Sequence, residues 1–408
     1  MSPDPVRIGL LGRGTVGGAF AALLGERAAA VEAATGRRPE LAGVLTRGEG
    51  EFGEILERSD LVVELIGGTE PAREHVLAAL RAGRPVVTAN KQLLAQHGEE
   101  LFAAAREAGV QLRFEAAVAG VIPIVRTIQE SFGVTEIEKV FGIVNGTTNF
   151  ILSEMAATGA AYADVLARAQ QLGYAEADPG DDVNGADAAA KMAILARLAF
   201  HTPVTLDQVP HEGIEGVKPD DLAYAKEFGL SLKLLGVAER REAGISVRVF
   251  PCFLYGGHPL APVEGPFNAV MVEAPAITEV TMSGPGAGGV ETASAVLGDV
   301  VSILAGEAPV HETRAELPLV TDVSSSFYLH LEVADEPGVL ADVARVLSDN
   351  EVSVKSVVQR GIGDEARLVM VVHECLESRF REAVEEIGRL GEIRSAPRFI
   401  RVIEEEFV

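Results

Sequence analysis

A chain of 408 residues, 48% hydrophobic and 23% charged, is long enough for two or three domains and too apolar to be disordered. Its formal net charge of -25 excludes a nucleic-acid or anionic-membrane partner, either of which would need clustered Lys and Arg. Two isolated cysteines, Cys252 and Cys375, exclude a disulfide framework and a cysteine-based metal site; with no signal pattern and no apolar run of ~18 residues, a reducing cytoplasm is the expected location.

From Val6 to about Val144, short β-branched runs (VRIGLLG, ELAGVLT, DLVVELIG, RPVVTAN, VQLRFEA) alternate with Ala- and Leu-rich stretches of helical period. Stretches such as PAREHVLAALRAG and KQLLAQHGEELFAAAREAG end in Gly, a common helix terminator. The pattern is that of βαβ units on a parallel sheet, a Rossmann-type doubly wound α/β fold. Gly12-Arg13-Gly14-Thr15-Val16-Gly17 follows the first strand directly and opens a helix near Val16. G-x-G-x-x-G alone is a weak signal in a chain with 43 glycines, and its position between strand and helix gives it weight. Gly12 and Gly14 let the backbone turn and approach a pyrophosphate, Gly17 permits close helix packing, and the helix N-terminus supplies partial positive charge.

The second strand ends Leu45-Thr46-Arg47, without the carboxylate that would bind a ribose 2′-hydroxyl. Arg47, with help from Arg13, tips the cofactor reading toward NADP. The plain alternative is that both arginines are solvated surface residues, and Glu49 and Glu51 keep NAD open. Thr88-Ala89-Asn90-Lys91 follows the fourth strand and sets Lys91 at the carboxyl edge of the sheet, where open α/β folds bind ligands. Lys91 could equally be the first solvated residue of a helix. Glu115 to Pro123 leaves the next strand at the same edge, and its backbone carbonyls are candidates to hold an ion or substrate.

From about Asn145 to Phe200 the pattern turns helical. Asp187 and Lys191 are spaced i, i+4 in NGADAAAKMAILARLAF, on one helix face. An exposed salt bridge is the bland reading; the same face continues through Ile194, Leu195 and Leu198, which turns the pair toward the interior or a cleft. There an amine can hydrogen-bond a substrate oxygen and pass a proton, with the carboxylate positioning it. Just upstream, Glu176, Asp178, Asp181 and Asp182 crowd a loop marked by Pro179 and Gly180. This is either a solvated acidic turn or a site for a substrate ammonium group; the spacing of an EF-hand is missing.

Residues 245 to 283 are strand-like (ISVRVFPCFLY, FNAVMVEA, TEVTMSG), the mark of a mixed α+β second domain. Residues 291 to 306 read as a helix that could return to the first domain, followed by a linker with Pro309 and Pro318. From about Ser325 the order strand, helix, strand, strand, helix, strand is the ferredoxin-like βαββαβ arrangement.

GRGTVGG, TANK, EAAVAGVIPI, GIVNGTTNFIL, GYAEADPGDDVNGADAAAKMAIL and the late GPGAGG together resemble homoserine dehydrogenase over nearly the whole chain. The resemblance implies reversible hydride transfer between NAD(P)H and L-aspartate 4-semialdehyde, giving L-homoserine. It makes Lys191 the proton donor, with Lys91 near the nicotinamide and Glu176, Asp182 and Asp187 binding the substrate amino group or orienting Lys191. It implies a monovalent cation, usually Na+, at Glu115, Val118, Gly120 and Ile122, and cofactor contacts at Thr15, Val16 and Gly288. The last module, with DEPGVL after its first strand, looks like an ACT domain, so feedback by L-threonine in threonine, methionine and isoleucine synthesis is the natural expectation.

The implied layout is a dinucleotide-binding domain at 1–135, a substrate and dimerisation domain at 136–290, a returning helix and linker at 291–320 and a regulatory domain at 321–408. A monofunctional enzyme and a homodimer or homotetramer are expected. Two rivals stand beside this reading. Aspartate-semialdehyde dehydrogenase needs a nucleophilic cysteine, for which neither Cys252 nor Cys375 is suitably placed. A non-catalytic sensor of dinucleotide and amino acid would have no use for Lys91, Asp187 and Lys191.

Overall fold

The structure is a computed structural model that describes residues 5–306, 315–363 and 366–403. Its first sheet comprises β1 (Val6–Leu11), β2 (Pro39–Leu45), β3 (Leu61–Glu64), β4 (Val86–Thr88) and β5 (Leu112–Arg113), all parallel in the order β2-β1-β3-β4-β5. Four helices connect them: α1 (Thr15–Thr35), α2 (Phe52–Arg58), α3 (Ala72–Arg81) and α4 (Lys91–Ala108). β3, LVVE, is buried along its whole length, as a central parallel strand covered on both faces must be. The order reverses between β1 and β3, and at such a switch point the loops beyond the strand ends diverge into a ligand crevice. The run VQLRFEA is a strand only over Leu112–Arg113 and then tightens into a 3-10 turn, Glu115–Ala117.

After the short helix α5 (Ile124–Arg126), the chain leaves this sheet. A second sheet begins with β6 (Lys139–Ile143) and continues with β7 (Leu230–Arg241), β8 (Gly244–Tyr255), β9 (Phe267–Ala274) and β10 (Thr278–Pro285). Between β6 and β7 lie α6 (Gly146–Thr158), α7 (Tyr162–Leu172), α8 (Gly180–Val183), α9 (Ala186–Phe200) and α10 (Pro219–Glu227). α9 is buried on nearly every side, which explains why its sequence is alanine-rich and apolar all round. β7 was not among the strands read from the sequence; LSLKLLGVAERR is poor in β-branched residues, and burial between neighbours overrides that weak propensity.

α11 (Gly289–Leu304) packs back on α1, with Val296, Val300 and Leu304 joining Phe20, Leu24 and Val31 in one apolar cluster. Part of the linker that follows, residues 307–314, lies outside the described residues. The last module contains β11 (Ser324–Glu332), α12 (Val339–Asp349), β12 (Val354–Arg360), β13 (Arg367–Leu376), α13 (Glu377–Ile387) and β14 (Arg398–Ile403). Its strands do not form a separate sheet. β14 pairs in parallel with β8 through Arg401–Cys252, Val402–Phe253 and Ile403–Leu254, so nine strands run continuously in the order β10-β9-β6-β7-β8-β14-β11-β13-β12. Charged pairs lock this seam: Arg401 binds both Glu212 and Glu377, and Arg398 reaches Asp221, which also meets His330. No described helix is long and apolar enough to cross a membrane.

Candidate active site

The β1–α1 turn is built by steric necessity. Gly12 has φ of 95°, and a Cβ there would run into the Leu65 backbone; a Cβ on Gly17 would collide with the Gly12 carbonyl. Gly14 caps α1 with no side chain of its own, which leaves the first-turn N–H groups beside Thr15 and Val16 open to an anion. Arg13 and Arg47 are both exposed on this side of the sheet, after β1 and β2 respectively. Gly288 caps α11, and Gly289 lies against Thr15, so the late glycine run abuts the first glycine turn.

One feature of this crevice escaped sequence reading. Glu64, at the end of β3, is fully buried, and its carboxylate accepts from the Ile66 N–H at 2.7 Å and the Thr88 hydroxyl at 2.6 Å. Burial pushes its pKa up, against those hydrogen bonds. The bond to Thr88 ties the end of β3 to the Thr88–Lys91 turn. Asn90 completes the turn by capping α4 through the Leu93 N–H at 3.1 Å and donating to the Gly68 carbonyl at 2.6 Å. Lys91 is thereby fixed at the first position of α4.

From the other side, α9 delivers Asp187 and Lys191. Lys191 Nζ donates to Asp187 Oδ2 and to the Val144 carbonyl, both at 2.7 Å, and Lys91 Nζ meets Asp187 Oδ1. One buried carboxylate thus joins two ammonium groups from different domains. Asn145, also missed in the sequence, is the fourth member. Its Nδ2 donates to Asp182 Oδ1 at 2.7 Å and Asp187 Oδ2 at 2.9 Å, while its Oδ1 caps α6 through the Thr148 N–H. Only its place in an N-G-T-T-N helix start hinted at the capping half of this role.

Burial would raise the pKa of Asp187, but the ammonium groups of Lys191 and Lys91 hold it well below the ordinary carboxylate range. Burial would lower that of Lys91, and the Asp187 carboxylate outweighs it, so Lys91 stays protonated above its usual value. Asp182 is raised by burial and by the neighbouring Asp187 charge, with Asn145 and the lysines opposing. Glu176 and Asp178 are exposed, and neither carboxylate touches the lysines. The arrangement offers a fixed proton donor and an acidic rim for a substrate ammonium group.

The Glu115–Ile122 loop is buried against the Pro285–Gly286 backbone and makes two successive left-handed turns, at Ala119 (φ 56°) and Gly120 (φ 64°). Each Glu115 carboxylate oxygen accepts one backbone N–H, from Val125 (2.8 Å) and Arg126 (2.9 Å). What this loop can offer an ion is the remaining lone pairs of that carboxylate and the backbone carbonyls of Val118, Gly120 and Ile122. Among the described residues no group of three or more His, Cys, Asp or Glu could hold a metal ion. One carboxylate with neutral carbonyls suits a monovalent cation better than a divalent one. The cysteines remain inert: burial pushes Cys252 up to about 12 and Cys375 up to about 11, so neither forms a thiolate at neutral pH.

Comparison with known proteins gives three family matches: homoserine dehydrogenase over residues 123–301, the homoserine dehydrogenase NAD-binding domain over 12–115, and the ACT domain over 328–392. The homoserine dehydrogenase of Corynebacterium glutamicum is 46% identical over 93% of this chain and 92% of its own length. That of Mycobacterium tuberculosis is 43% identical over 98% of both chains. The crystal structure of a homoserine dehydrogenase from Thiobacillus denitrificans superposes with a TM-score of 0.94 at 39% identity, covering 98% of this chain and 99% of the other. A hyperthermophilic archaeal homoserine dehydrogenase, solved in complex with NADPH, superposes with a TM-score of 0.65 at 26% identity, over 76% of this chain and all of its own.

Proposed function

Because this chain belongs to the homoserine dehydrogenase family, a family of oxidoreductases with an NAD-binding domain and, here, a C-terminal ACT domain, we propose that it reduces L-aspartate 4-semialdehyde reversibly to L-homoserine. The observation that carries this reading is the convergence of Lys91 and Lys191 on the buried Asp187, beside an acidic loop and at the carboxyl edge of the dinucleotide sheet. The reduced dinucleotide supplies the hydride. Lys191 carries three N–H donors, two of them spent on Asp187 and the Val144 carbonyl, and the third direction serves the aldehyde oxygen as it gains charge and a proton. Asp187 keeps Lys91 charged and both ammonium groups aimed, and Asn145 keeps Asp187 and Asp182 in register. Asp182 and Glu176 receive the substrate ammonium, and Lys91 lies near the nicotinamide and the reacting centre.

Gly12, Gly14, Thr15, Val16 and Gly17 would hold the dinucleotide, with Gly288 against it. Neither Arg13 nor Arg47 has an ion-pair partner among the described residues, which favours a 2′-phosphate and hence NADP over NAD. A monovalent cation, Na+ in the first instance, is held by the Glu115 carboxylate and the carbonyls of Val118, Gly120 and Ile122. The ACT domain takes L-threonine as feedback effector of threonine, methionine and isoleucine synthesis, in a cytoplasmic homodimer or homotetramer. Domain limits of 1–135, 136–290 and 321–408, with the return helix and linker between the last two, complete the reading. The test is oxidation of L-homoserine by the full chain in Na+ buffer, followed as reduced-cofactor absorbance with NAD and NADP in parallel, with and without L-threonine. Turnover that is faster with NADP and slowed by threonine is expected; no turnover with either cofactor sinks the assignment.

A further inference from the structure

Asn268 lies on β9 and is completely buried, yet neither the nitrogen nor the oxygen of its carboxamide has a hydrogen-bond partner, and both atoms are sealed from solvent. A buried amide with both bonds unmade is costly, and an apolar side chain of the same shape would suit the ligand-free chain better. Its surroundings indicate where a partner would come from. A Cβ on Gly286 would collide with the Asn268 side chain, and one on Gly146 would stand 3.6 Å from Asn268 Oδ1. Gly146 opens α6 next to Asn145, which holds Asp182 and Asp187. Gly286 begins the short run to Gly289, where a Cβ would stand 3.1 Å from Thr15 Cγ2 in the dinucleotide turn. The Asn268 amide therefore sits where the 285–289 backbone, the head of α6 and, through the Gly120–Gly286 contact, the loop after β5 all meet.

We propose that Asn268 is a positioning residue for the dinucleotide. As the nicotinamide end seats against the 285–289 segment, that backbone settles onto the Asn268 carboxamide, which then donates one hydrogen bond to it, accepts another and holds the segment closed. This role for Asn268 rests on the reading that the glycine run faces the cofactor. Asn268 acts through the segment and not on the reacting atoms, so its effect belongs to binding of the dinucleotide before substrate arrives.

The experiment compares full-length wild type with Asn268→Leu by thermal unfolding without ligand and by calorimetric titration with NADPH and with NADH, no substrate being present. Removing an unpartnered buried amide should raise the ligand-free Tm by about 2 °C. The same change should weaken dinucleotide binding about tenfold, so that saturating NADPH protects the variant less than wild type. A lower ligand-free Tm, or an unchanged Kd, overturns the proposal, because the first means the amide is already partnered and the second that it never is. If the Leu variant does not fold, Asn268→Ala is titrated instead, and an unchanged Kd again overturns it. Failure of wild type to bind either dinucleotide would bring down the underlying assignment as well, an outcome distinct from equal binding by wild type and variant.

Discussion

An Asp187→Asn substitution keeps the shape of the residue that joins the two lysines and removes its charge. The Asp187 side chain is 2% exposed, with Lys191 Nζ and Asn145 Nδ2 on one oxygen at 2.7 and 2.9 Å and Lys91 on the other. Breaking a buried pair by neutralising one partner typically costs about 3–5 kcal/mol. Lys91 is 36% exposed, so solvent screens its share; the loss falls mainly on Lys191, 12% exposed, and a figure of about 3 kcal/mol is reasonable. Expressed at the transition state, that is a fall in kcat of about a hundredfold, with NADPH affinity changed less than twofold. The pH dependence has a definite sign. Without Asp187, the main charge that holds Lys91 up against its burial is gone and its pKa falls, so the alkaline limb of kcat/KM moves to lower pH. Because the folded pKa of Asp187 is depressed, its stabilisation is present above the unfolded value and lost as pH falls through the folded one. The Tm gap between wild type and variant should therefore be widest at neutral pH and close toward acid. Steady-state kinetics from pH 6 to 10, NADPH titration and thermal melts test this together. A kcat within fivefold of wild type at every pH, or losses in kcat and NADPH affinity of equal size, would refute the role assigned to the bridge.

Arg47→Ala should raise the KM for NADPH about tenfold and leave that for NADH unchanged; equal effects on both would assign Arg47 to the solvated surface. His258 is 4% exposed, and burial lowers its pKa to about 4. Its folded pKa lies below the unfolded value of about 6.5, so stability present above pH 6.5 is lost as pH falls toward 4, by ~3 kcal/mol at most. His258→Gln should flatten the Tm-against-pH curve across that window, and an unchanged acid slope would place the sensitivity elsewhere. Arg401→Ala removes the 7% exposed guanidinium between Glu212 and Glu377 and leaves them only the more exposed Arg381, which should lower stability by about 3 kcal/mol by thermal or urea unfolding. A loss below 1 kcal/mol would mean that the seam is held by its apolar contacts alone.

What could be read from the sequence was what short-range chemistry dictates. Gly12 and Gly17 are demanded by a turn that closes within six residues, Lys91 follows directly from where β4 stops, and Asp187 and Lys191 meet because one helical turn separates them. The residues that escaped notice act across distance. Glu64 grips Thr88 from 24 positions away, and Asn145 reaches Asp182 and Asp187 from 37 and 42. Each belongs to a type that is ordinary at a strand end or a helix cap, so nothing local marked it as part of the site. Asn268 was hidden for the opposite reason, since inside FNAVMVEA it reads as one polar residue in a strand and only packing reveals that its amide is sealed among glycines. β7 was lost because Leu, Lys, Gly and Ala do not announce a strand, and its buried pattern is imposed by β6 and β8 on either side.

The linker before Ser325 suggested a module attached by a tether, and the β8–β14 pairing changes what can be asked of it. Tyr328, Val369, Ile400 and Val402 share one apolar core with the α9 residues Ala188, Ala190 and Leu195, which flank Asp187 and Lys191. α9 itself packs on β7 and β8. Deleting residues 321–408 would therefore strip the edge of β8, uncover that core and orphan Asp221 and Glu212, whose partners Arg398 and Arg401 leave with the deleted segment. Loss of turnover in such a truncation would report damage to the floor beneath the lysine pair and say nothing of an effector. Regulation by the ACT domain is accessible only in the intact chain, by effector titration, where β14 stays in the sheet and the state of α9 can be compared with ligand and without.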